Sequence, residues 1–511
     1  RAVLSVGRVM TCVLGMVVRR EREIREFVKT PFYRVIGSFD VPDHETAVIE
    51  AEWRAVEGSR YFGTPALYKE NGFKEKKTAE ELIRFLSADP MEGTLLALDR
   101  KKETKNPPLL YNLAEIQNDC SKMFKISPDE TLKIIQELYE KKLVTYPRTD
   151  ARVLSSAVAK EIYKNISGLR RYLMIDNAAD EILQMGSYKT IAKTRYVNDK
   201  QITDHYAIIP TGQGLNVLKS LSQTSQRVYE TIVRRFLCIF CPPAVYQKVS
   251  LVTEMQKEKF FSGFKVLQEE GYLKYATNSF ARKSAADRSQ ESGKEDSEEA
   301  SCDVQLLNAL QRLKKNDILT VDALNIKEGE TSPPKRYNSG SMILAMENAG
   351  QLIEDEELRA QIKGSGIGTS ATRAEILKKL VSIKYLSLNK KTQVITPTLL
   401  GEMIFDVVNC SIRQLLNPEL TASWEKGLTY VAEGSITSEE YMGKLENFVT
   451  RHTVNVKQMR NQFQLKSSFD ASAPYYKKAS STRSRTGKRT AAEDSSAKSY
   501  STAGKKGAQN S

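Results

Sequence analysis

Tyr146, Arg148 and Asp150 are the side chains whose types and spacing most strongly indicate chemistry in this chain. They lie in the run Tyr146-Pro147-Arg148-Thr149-Asp150, directly after an apolar, strand-like stretch. Pro147 favours an extended backbone at the residue before it, and alternate side chains of an extended backbone project to the same side. Tyr146 and Arg148 can therefore reach one phosphate group, which the guanidinium of Arg148 could bind through two hydrogen bonds.

Tyr146 would act as a nucleophile only with help, because a phenol ionises near pKa ~10. Attack on a phosphodiester needs a route for that proton and positive charge to meet the developing negative charge. Asp150 could orient Arg148 or a neighbouring base. The alternative is a surface turn with a packed tyrosine, and spacing alone leaves both interpretations open.

His205 is the second candidate, and it is one of three histidines in the chain. It follows Asp204 and precedes the apolar run Ala207-Ile208-Ile209. An imidazole in such a place could hold a scissile phosphate or relay a proton. A hydrogen-bonded structural histidine is the alternative.

A glycine-rich loop, Gly364 to Leu377, runs into a predicted helix. Such a loop can present backbone N–H groups to an anion, and Thr369 and Arg373 would then contact a DNA phosphate. The loop lacks the lysine of a P-loop, and no GxxxxGK[ST] pattern occurs anywhere in the chain, which excludes nucleotide hydrolysis of that type. An ordinary capped helix is the alternative here.

Composition and charge limit the remaining possibilities. With 511 residues the chain is too long for one core, and its net charge of +14 favours a polyanionic partner without requiring one. The chain has no stretch of about 18 consecutive apolar residues, so the sequence predicts no membrane span. Six scattered cysteines favour a reducing compartment, and the lone pair Cys238 and Cys241 favours a packed helix end over a zinc site.

Hydrophobic periodicity predicts alternating helical and strand-rich regions. We expect a helix over 8–28, and strand-like pieces over 31–100, over 244–275 and again from Ile318. A helical block is expected over 109–240, with Ser127 as a helix cap before Pro128. A second helical region is expected over 339–450. Residues 276–303 are predicted to be a solvated linker, and 466–511 a disordered basic tail.

Taken in order, several segments closely resemble the type IA DNA topoisomerases, most closely those of the bacterial topoisomerase III branch. The resemblance covers about residues 1–465. It is carried by the following segments: Ser5-Val6-Gly7-Arg8-Val9-Met10-Thr11, Tyr146 to Asp150, Asp204-His205-Tyr206-Ala207-Ile208-Ile209-Pro210-Thr211, Pro333 to Tyr337 with Ala345-Met346-Glu347, Gly364 to Leu377, and Glu419 to Glu425 with Ala432-Glu433-Gly434.

The resemblance implies an α+β multidomain fold, a toroid in which helical base and gate domains are joined by β-rich arms. It places a first segment of the base at 1–28 and a second at 331–465. The arm would comprise 29–105 and 243–330, and the gate domain with Tyr146 would comprise 106–242.

The resemblance also implies a reaction. Tyr146 would cleave one DNA strand through a 5′-phosphotyrosine, a second strand would pass, and the break would be resealed without ATP. Arg148 and His205 would assist Tyr146. The DNA contacts would be Ser5, Val6, Gly7, Arg8, Val9, Met10, Asp150, Thr369 and Arg373. The expected partner is single-stranded DNA, with no membrane, for a monomer in the bacterial cytoplasm at the nucleoid.

Two departures from the family pattern affect these expectations. Met10 stands where the family usually has glutamine and Cys12 where topoisomerase III has proline, so a polar DNA contact is in doubt at Met10. No D-x-D-x-E cluster is present, although the family's Toprim domain carries one that binds Mg²⁺. Since the chain also begins with Arg1, we expect a fragment without its Toprim domain. Such a fragment would bind single-stranded DNA but relax supercoils poorly.

Other classes of DNA enzyme fit less well. A rolling-circle relaxase needs a His-x-His metal motif, whereas His44, His205 and His452 are far apart. A tyrosine recombinase has its tyrosine after a His-x-x-Arg motif, which this chain lacks. A non-catalytic module that binds single-stranded DNA is the alternative that stays open.

Overall fold

In the computed structural model, residues 4–41, 48–281, 300–301, 304–353, 356–361 and 366–476 are described. The helices are α1 (Arg8–Glu26), α2 (Lys76–Leu86), α3 (Leu113–Phe124), α4 (Pro128–Glu140), α5 (Ser156–Gly168), α6 (Ala178–Met185), α7 (Gln223–Cys238), α8 (Leu273–Ala276), α9 (Val304–Arg312), α10 (Ser339–Glu347), α11 (Glu356–Gln361), α12 (Arg373–Ser382), α13 (Leu399–Ser411), α14 (Pro418–Ala432), α15 (Ser438–Gln458) and α16 (Gln462–Ser472). Short 3₁₀ helices occupy Leu169–Arg171, Leu173–Ile175, Ser187–Lys193, Asp199–Gln201, Leu215–Ser220, Ala349–Leu352, Arg413–Leu416 and Ala473–Tyr476.

The strands form one large sheet and one small hairpin. They are β1 (Pro31–Asp40), β2 (Val48–Arg54), β3 (Leu67–Lys69), β4 (Gly72–Phe73), β5 (Glu92–Lys105), β6 (Ala244–Met255), β7 (Glu258–Glu269), β8 (Ala300–Ser301), β9 (Ile318–Glu330), β10 (Leu386–Leu388) and β11 (Ile395–Pro397). The large sheet runs β2-β7-β6-β5-β9-β1-β4-β3, with β8 beside β7, and β10 pairs with β11.

The large sheet closes on itself. Strand β1 pairs with β2 as well as with β9, so six antiparallel strands form a ring and leave no free edge among themselves. Strands β5 and β6 pair from Thr94–Glu254 to Lys105–Ala244. Because β5 and β6 are neighbours in the sheet, the long helical segment between them begins and ends at the same place on the sheet.

Three apolar cores hold the described chain together. The central core lies between Leu110 and Tyr275 and is built mainly by α3 to α7. The terminal core combines Met10–Val18 of α1 with side chains between Met342 and Ala422. The sheet core fills the ring of strands and includes Trp53. We call residues 106–242 the central block, and residues 8–26 together with 337–476 the terminal block. The sequence-derived domain boundaries themselves stay predictions.

Helix α1 shows why the two chain ends meet. Its residues Met10 to Val18 are all buried, which suits a run of mainly apolar side chains with little polar surface. Gly15 lets the helix approach the backbone of Leu416, because a Cβ there would lie 3.1 Å from the carbonyl oxygen. The helix predicted over 8–28 is confirmed at Arg8–Glu26. The cap predicted at Ser127 is also confirmed, since its Oγ accepts from the Glu130 N–H at 3.2 Å.

The tail predicted to start at 466 is wrong for its first eleven residues. Helix α16 continues to Ser472, and Tyr475 and Tyr476 follow it in a 3₁₀ turn. The Tyr476 hydroxyl donates to Glu402 Oε1 at 2.6 Å, and the guanidinium of Arg25 lies 4.0 Å from the centre of the Tyr475 ring. These contacts anchor a segment whose polar composition favours disorder. Residues 477–511, like most of the linker predicted at 276–303, lie outside the described residues. No helix in the described part of the chain is long and apolar enough to cross a membrane.

Candidate active site

The Tyr146 segment is held in an extended conformation by the segment that carries His205. The Thr145 N–H donates to Ile209 O at 3.0 Å, and Val144 forms an isolated antiparallel bridge with Pro210. The Thr149 hydroxyl donates to the carbonyl oxygen of His205 at 2.8 Å. Two segments about sixty residues apart in sequence therefore meet through backbone and hydroxyl groups, and this fixes Tyr146 beside His205.

Tyr146 is half-buried between two aromatic rings. Its ring centroid lies 4.4 Å from that of His205, with the planes tilted by 45°, and 5.5 Å from that of Tyr139, which it meets edge to face. Among the three, Tyr139 and His205 are exposed. The tyrosine is thus confined by ring contacts while one side of the cluster stays open to solvent and to a substrate.

Arg148 is exposed, and no residue in the described part of the chain forms an ion pair with it. Its guanidinium is therefore available to an anionic ligand. The carboxylate of Asp150, which could orient Arg148 or a neighbouring base, pairs with Arg373. The distance between Asp150 Oδ1 and Arg373 Nη1 is 2.9 Å.

Arg373, which the sequence predicts to contact DNA, is buried in this structure. Its side chain is 1% exposed, so the guanidinium cannot reach a ligand in solvent without a rearrangement. The same Nη1 atom lies 4.0 Å from Glu347 Oε1, and Nε donates to Ile367 O at 3.4 Å. A buried guanidinium needs such partners, because an unpaired buried charge is costly. Arg373 thus belongs to a buried network behind the Tyr146 segment.

Asn112 and Glu347 complete this buried network. The Asn112 amide donates to Glu347 Oε1 at 2.7 Å and to the carbonyl oxygen of Asp150 at 3.1 Å, while its Oδ1 caps α3 by accepting from the Glu115 N–H. Burial raises the pKa of Glu347 above its ordinary value; Arg373 opposes this effect and the nearby Asp150 adds to it. Two carboxylates and one guanidinium therefore share a site of low polarity.

The described part of the glycine-rich loop packs against α10 at Gly366 and Ile367. Gly366 has a φ of +66°, and a Cβ there would lie 2.2 Å from the Met346 carbonyl oxygen. The Ile367 N–H donates to Met346 O, and the Arg373 N–H donates to Thr369 O. The predicted anion grip is therefore not formed by these amides, because other groups of the chain already bind them. Thr369 is exposed, and Gly364 and Ser365 lie outside the described residues.

The segment from Ser5 to Met10 divides between surface and core. Val6 and Arg8 are exposed, and Arg8 forms an ion pair of 3.1 Å with Glu425. The Ser5 N–H donates to the Tyr385 hydroxyl. Met10 is only 9% exposed and packs in the terminal core, with Val9 partly buried against it. Met10 is therefore a core side chain in this structure, since α1 turns it inward.

Metal ligands are not gathered in this region. Within the described ranges, no group of three or more His, Cys, Asp or Glu side chains could hold a metal ion, so these residues do not fit an Mg²⁺ site. Cys238 and Cys241 are buried at the end of α7, and burial raises the pKa of both thiols to about 12. Because both thiols therefore stay protonated, they are suited to packing at the helix end.

Sequence reasoning missed Asn112 and assigned no role to Glu347. An asparagine directly before the apolar start of a helix is a common cap, and that signal identifies Asn112 as a helix start. Nothing local shows that its amide also spans the gap between Glu347 and Asp150. That arrangement depends on the packing of α3 against α10, which only the tertiary structure defines.

Comparison with known proteins settles the family. A family model described as DNA topoisomerase matches residues 1–443. The chain belongs to the type IA DNA topoisomerases. Among curated type IA relatives, DNA topoisomerase 3 of Bacillus subtilis is 31% identical over 470 residues, which cover 91% of this chain and 58% of the relative. DNA topoisomerase 3 of Bacillus licheniformis is 30% identical over 469 residues, covering 90% and 58%.

A solved type IA structure has the same fold. Full-length topoisomerase I from Thermotoga maritima matches with a TM-score of 0.59 at 22% identity, over 88% of this chain and 63% of that one. The expected fold class, that of a type IA topoisomerase, is confirmed. The chain spans 58% of the length of the two Bacillus topoisomerases, so the activity of a whole type IA enzyme does not pass to it directly.

Proposed function

We propose that this chain is the DNA-cleaving body of a type IA topoisomerase, with Tyr146 as its nucleophile. The observation that carries the proposal is the placement of a half-buried tyrosine against an exposed histidine, two residues before an exposed arginine. Membership of the family supports it. The substrate is a single-stranded segment of DNA, whose phosphates meet Arg148.

The proposed chemistry is an exchange of one phosphodiester for another. The Tyr146 phenolic oxygen attacks phosphorus and forms a 5′-phosphotyrosine, while the bond to the 3′ oxygen of the preceding nucleotide breaks. The phenol loses its proton, and the released 3′ oxygen gains one. Because the number of phosphodiester bonds is conserved, resealing after strand passage needs no ATP. Arg148 binds the phosphate oxygens, and His205 assists from the face of Tyr146.

The amino-terminal segment supplies further proposed DNA contacts. Val6 and Arg8 are exposed, and a Cβ added at Gly7 would meet no protein atom within 4 Å. That open space admits a nucleic acid backbone close to the chain. Ser5 and Thr369 are proposed as additional contacts, whereas we leave Met10 and Arg373 out of the proposal because both side chains are buried.

We also propose that this chain by itself is catalytically incomplete. We propose Mg²⁺ as the cofactor of the complete reaction, held by a Toprim domain rather than by residues in the described part of the chain. The chain would then bind DNA as a monomer but relax supercoils poorly. A cytoplasmic, nucleoid-associated location is proposed from the DNA substrate and from the free thiols of the described cysteines.

The test is capture of a covalent adduct on a single-stranded oligonucleotide labelled at its 3′ end, resolved by denaturing electrophoresis with and without Mg²⁺. A 5′-phosphotyrosine leaves the label on the protein, and Tyr146→Phe removes it. Tyr139→Phe is the matched control, because it keeps the ring packed against Tyr146 and should keep the adduct. Equal DNA binding by wild type and Tyr146→Phe, with no adduct in either, would instead support a non-catalytic DNA-binding module.

A further inference from the structure

The ring of strands has an outward side that does not enter its core. In β1, Val35 and Phe39 are buried in the sheet core. The residues at alternate positions, Phe32, Arg34 and Ile36, are half-buried. Because successive side chains of a strand point to opposite faces, these three lie on the outward side. We call the outward side of β1, β2, β7 and β9 the outer sheet face.

Basic residues from four strands come together on the outer sheet face. Lys327 of β9 lies opposite Arg34 of β1, and Lys259 of β7 lies opposite Arg54 of β2. Arg34 is joined to β2 by an ion pair of 3.1 Å with Glu52. The register of the ring thus gathers side chains that are far apart in the sequence into one cationic area.

Two carboxylates lie among these cations but do not neutralise all of them. Glu52 is engaged by Arg34, and Glu254 of β6 lies opposite Lys259. Lys327 is exposed and forms no ion pair with any residue in the described ranges. Positive charge is therefore left on this face for an anionic ligand.

Aromatic rings lie beside the cations. The rings of Phe32 and Tyr68 are stacked, with their centroids 5.6 Å apart and their planes 12° apart. Phe32 lies over Gly329, where a Cβ would stand 2.5 Å from the ring, so only glycine leaves room for it. Tyr68 is 37% exposed, and Lys69 Nζ lies 5.7 Å from its ring centroid. The stack therefore ends in a ring that is open to solvent next to a cation.

The two arginines of this face also lie against rings. The guanidinium carbon of Arg34 is 5.5 Å from the centre of the Phe32 ring, and that of Arg54 is 5.2 Å from the centre of the Phe261 ring. Such contacts attract the cation to the ring face and hold a long side chain in place. Less conformational freedom is then lost when a phosphate binds.

We propose that the outer sheet face is a second binding site for single-stranded DNA, separate from the Tyr146 site. Phosphates bind Arg34, Lys259 and Lys327, and one unpaired base stacks on Tyr68. Cations beside an exposed ring fit a strand whose bases are free, because the phosphates need positive charge and each base offers a face for stacking. A duplex keeps its bases inside and cannot use Tyr68. This proposal does not depend on Tyr146 being the nucleophile.

Photocrosslinking of the full chain locates the site. The probe is a single-stranded oligonucleotide of about eight nucleotides that contains 5-bromodeoxyuridine, a length within the range of one such site. After irradiation and proteolysis, we expect a crosslinked peptide that contains Tyr68. Calorimetric titration with the same oligonucleotide should show two oligonucleotides bound per chain. One oligonucleotide per chain, or crosslinks confined to the central and terminal blocks, would overturn the proposal.

Replacement of Tyr68 tests the stacking. Tyr68→Leu should raise the dissociation constant of one of the two sites at least about fivefold, because stacking of a base on a ring commonly contributes that much. Tyr68→Phe keeps the ring and should bind as the wild type does. Tyr430→Leu is the matched control, since Tyr430 is 36% exposed and has Lys426 Nζ 5.6 Å from its ring centroid, but lies on α14. Equal weakening in Tyr430→Leu would contradict the proposal.

Replacement of two lysines tests the phosphate contacts. For the second site, Lys259→Gln/Lys327→Gln should make the slope of log affinity against log salt shallower by about 1.4, twice the increment for one phosphate of single-stranded DNA. Lys101→Gln/Lys102→Gln removes the same charge from β5 of the same sheet, where each lysine pairs with a carboxylate, and should leave the slope unchanged. Equal changes in both double variants would reduce the effect to net charge and overturn the site.

The lysine variants keep the proposal testable if Tyr68→Leu does not fold, because they leave the stacked rings in place. A shallower slope together with wild-type binding by folded Tyr68→Leu would show a cationic surface without base stacking, against the proposal. Tyr146→Phe should still bind two oligonucleotides per chain. Since the adduct assay tests cleavage by Tyr146 alone, failure of the second site and failure of the proposed function can be told apart.

Discussion

The rings of Tyr146 and His205 lie with their centroids 4.4 Å apart, although 59 positions, 205 minus 146, separate the two residues in the chain. The contact is a ring contact, and the open side of the histidine faces solvent. In the proposed reaction, His205 would act on the phosphate that approaches Tyr146.

Replacement of His205 should slow adduct formation. We expect His205→Ala to lower the rate by about 10² or more, since a positioned acid, base or hydrogen-bond donor commonly contributes that much. Rapid-quench measurement of adduct on a 3′-labelled oligonucleotide gives the rate. His452→Ala serves as control, because His452 packs against Phe448 in α15. An unchanged rate in His205→Ala would show that the ring only packs against Tyr146.

Arg148→Gln should weaken DNA binding in a salt-dependent way. Its exposed guanidinium binds a phosphate in the proposed complex, so the slope of log affinity against log salt should become shallower by about 0.7, the increment for one phosphate of single-stranded DNA. Titrations monitored by fluorescence anisotropy at several salt concentrations give this slope. Arg170→Gln, which removes another exposed arginine of the central block, should leave the slope unchanged.

The packing of α3 against α10 can be locked by a disulfide bond between the two helices. In Ser121→Cys/Ser339→Cys the two sulfur atoms replace oxygens that are 3.1 Å apart, a separation that closes to a disulfide with a small adjustment. Oxidation should yield a crosslinked chain with altered mobility on a non-reducing gel, and each single variant should not. Where strand passage is measurable, oxidation should stop it and reduction should restore it. Passage at the wild-type rate in the oxidised form would show that α3 and α10 need not separate.

Stability should depend on pH through Glu347. Burial raises the pKa of this carboxyl in the folded state, so the folded chain binds its proton more tightly than the unfolded chain does. Its contribution to the free energy of unfolding therefore falls as pH rises from the ordinary glutamate pKa of about 4.3 through the raised value. In Glu347→Gln that fall should be absent.

Urea unfolding between about pH 4 and pH 7.5 measures this contribution, which we expect to be on the order of 1 kcal/mol. The exposed Glu446→Gln is the control and should follow the wild-type curve. A wild-type pH dependence in Glu347→Gln would place the titrating group elsewhere.

The sequence by itself determined the features that depend on neighbours along the chain. The extended Tyr146-Pro147-Arg148 run follows from the restriction that proline places on the preceding residue. The start of α4 follows from Ser127 and Pro128, and the burial of α1 follows from its apolar run. The order of the family segments was also sufficient to indicate the type IA topoisomerases, and the family match over residues 1–443 agrees.

Only the tertiary structure decided which polar groups meet over long distances. Arg373 and Asp150 are 223 residues apart, and nothing around either residue shows that the arginine is buried against the carboxylate. Met10 faces inward because of the way α1 packs in the terminal core. Residues 466–476 are ordered because Tyr476 and Tyr475 contact Glu402 and Arg25. The local sequence pattern determines the backbone conformation and which face of a helix or strand is apolar. The partner of a buried charge is determined by the packing of segments that are distant in the sequence.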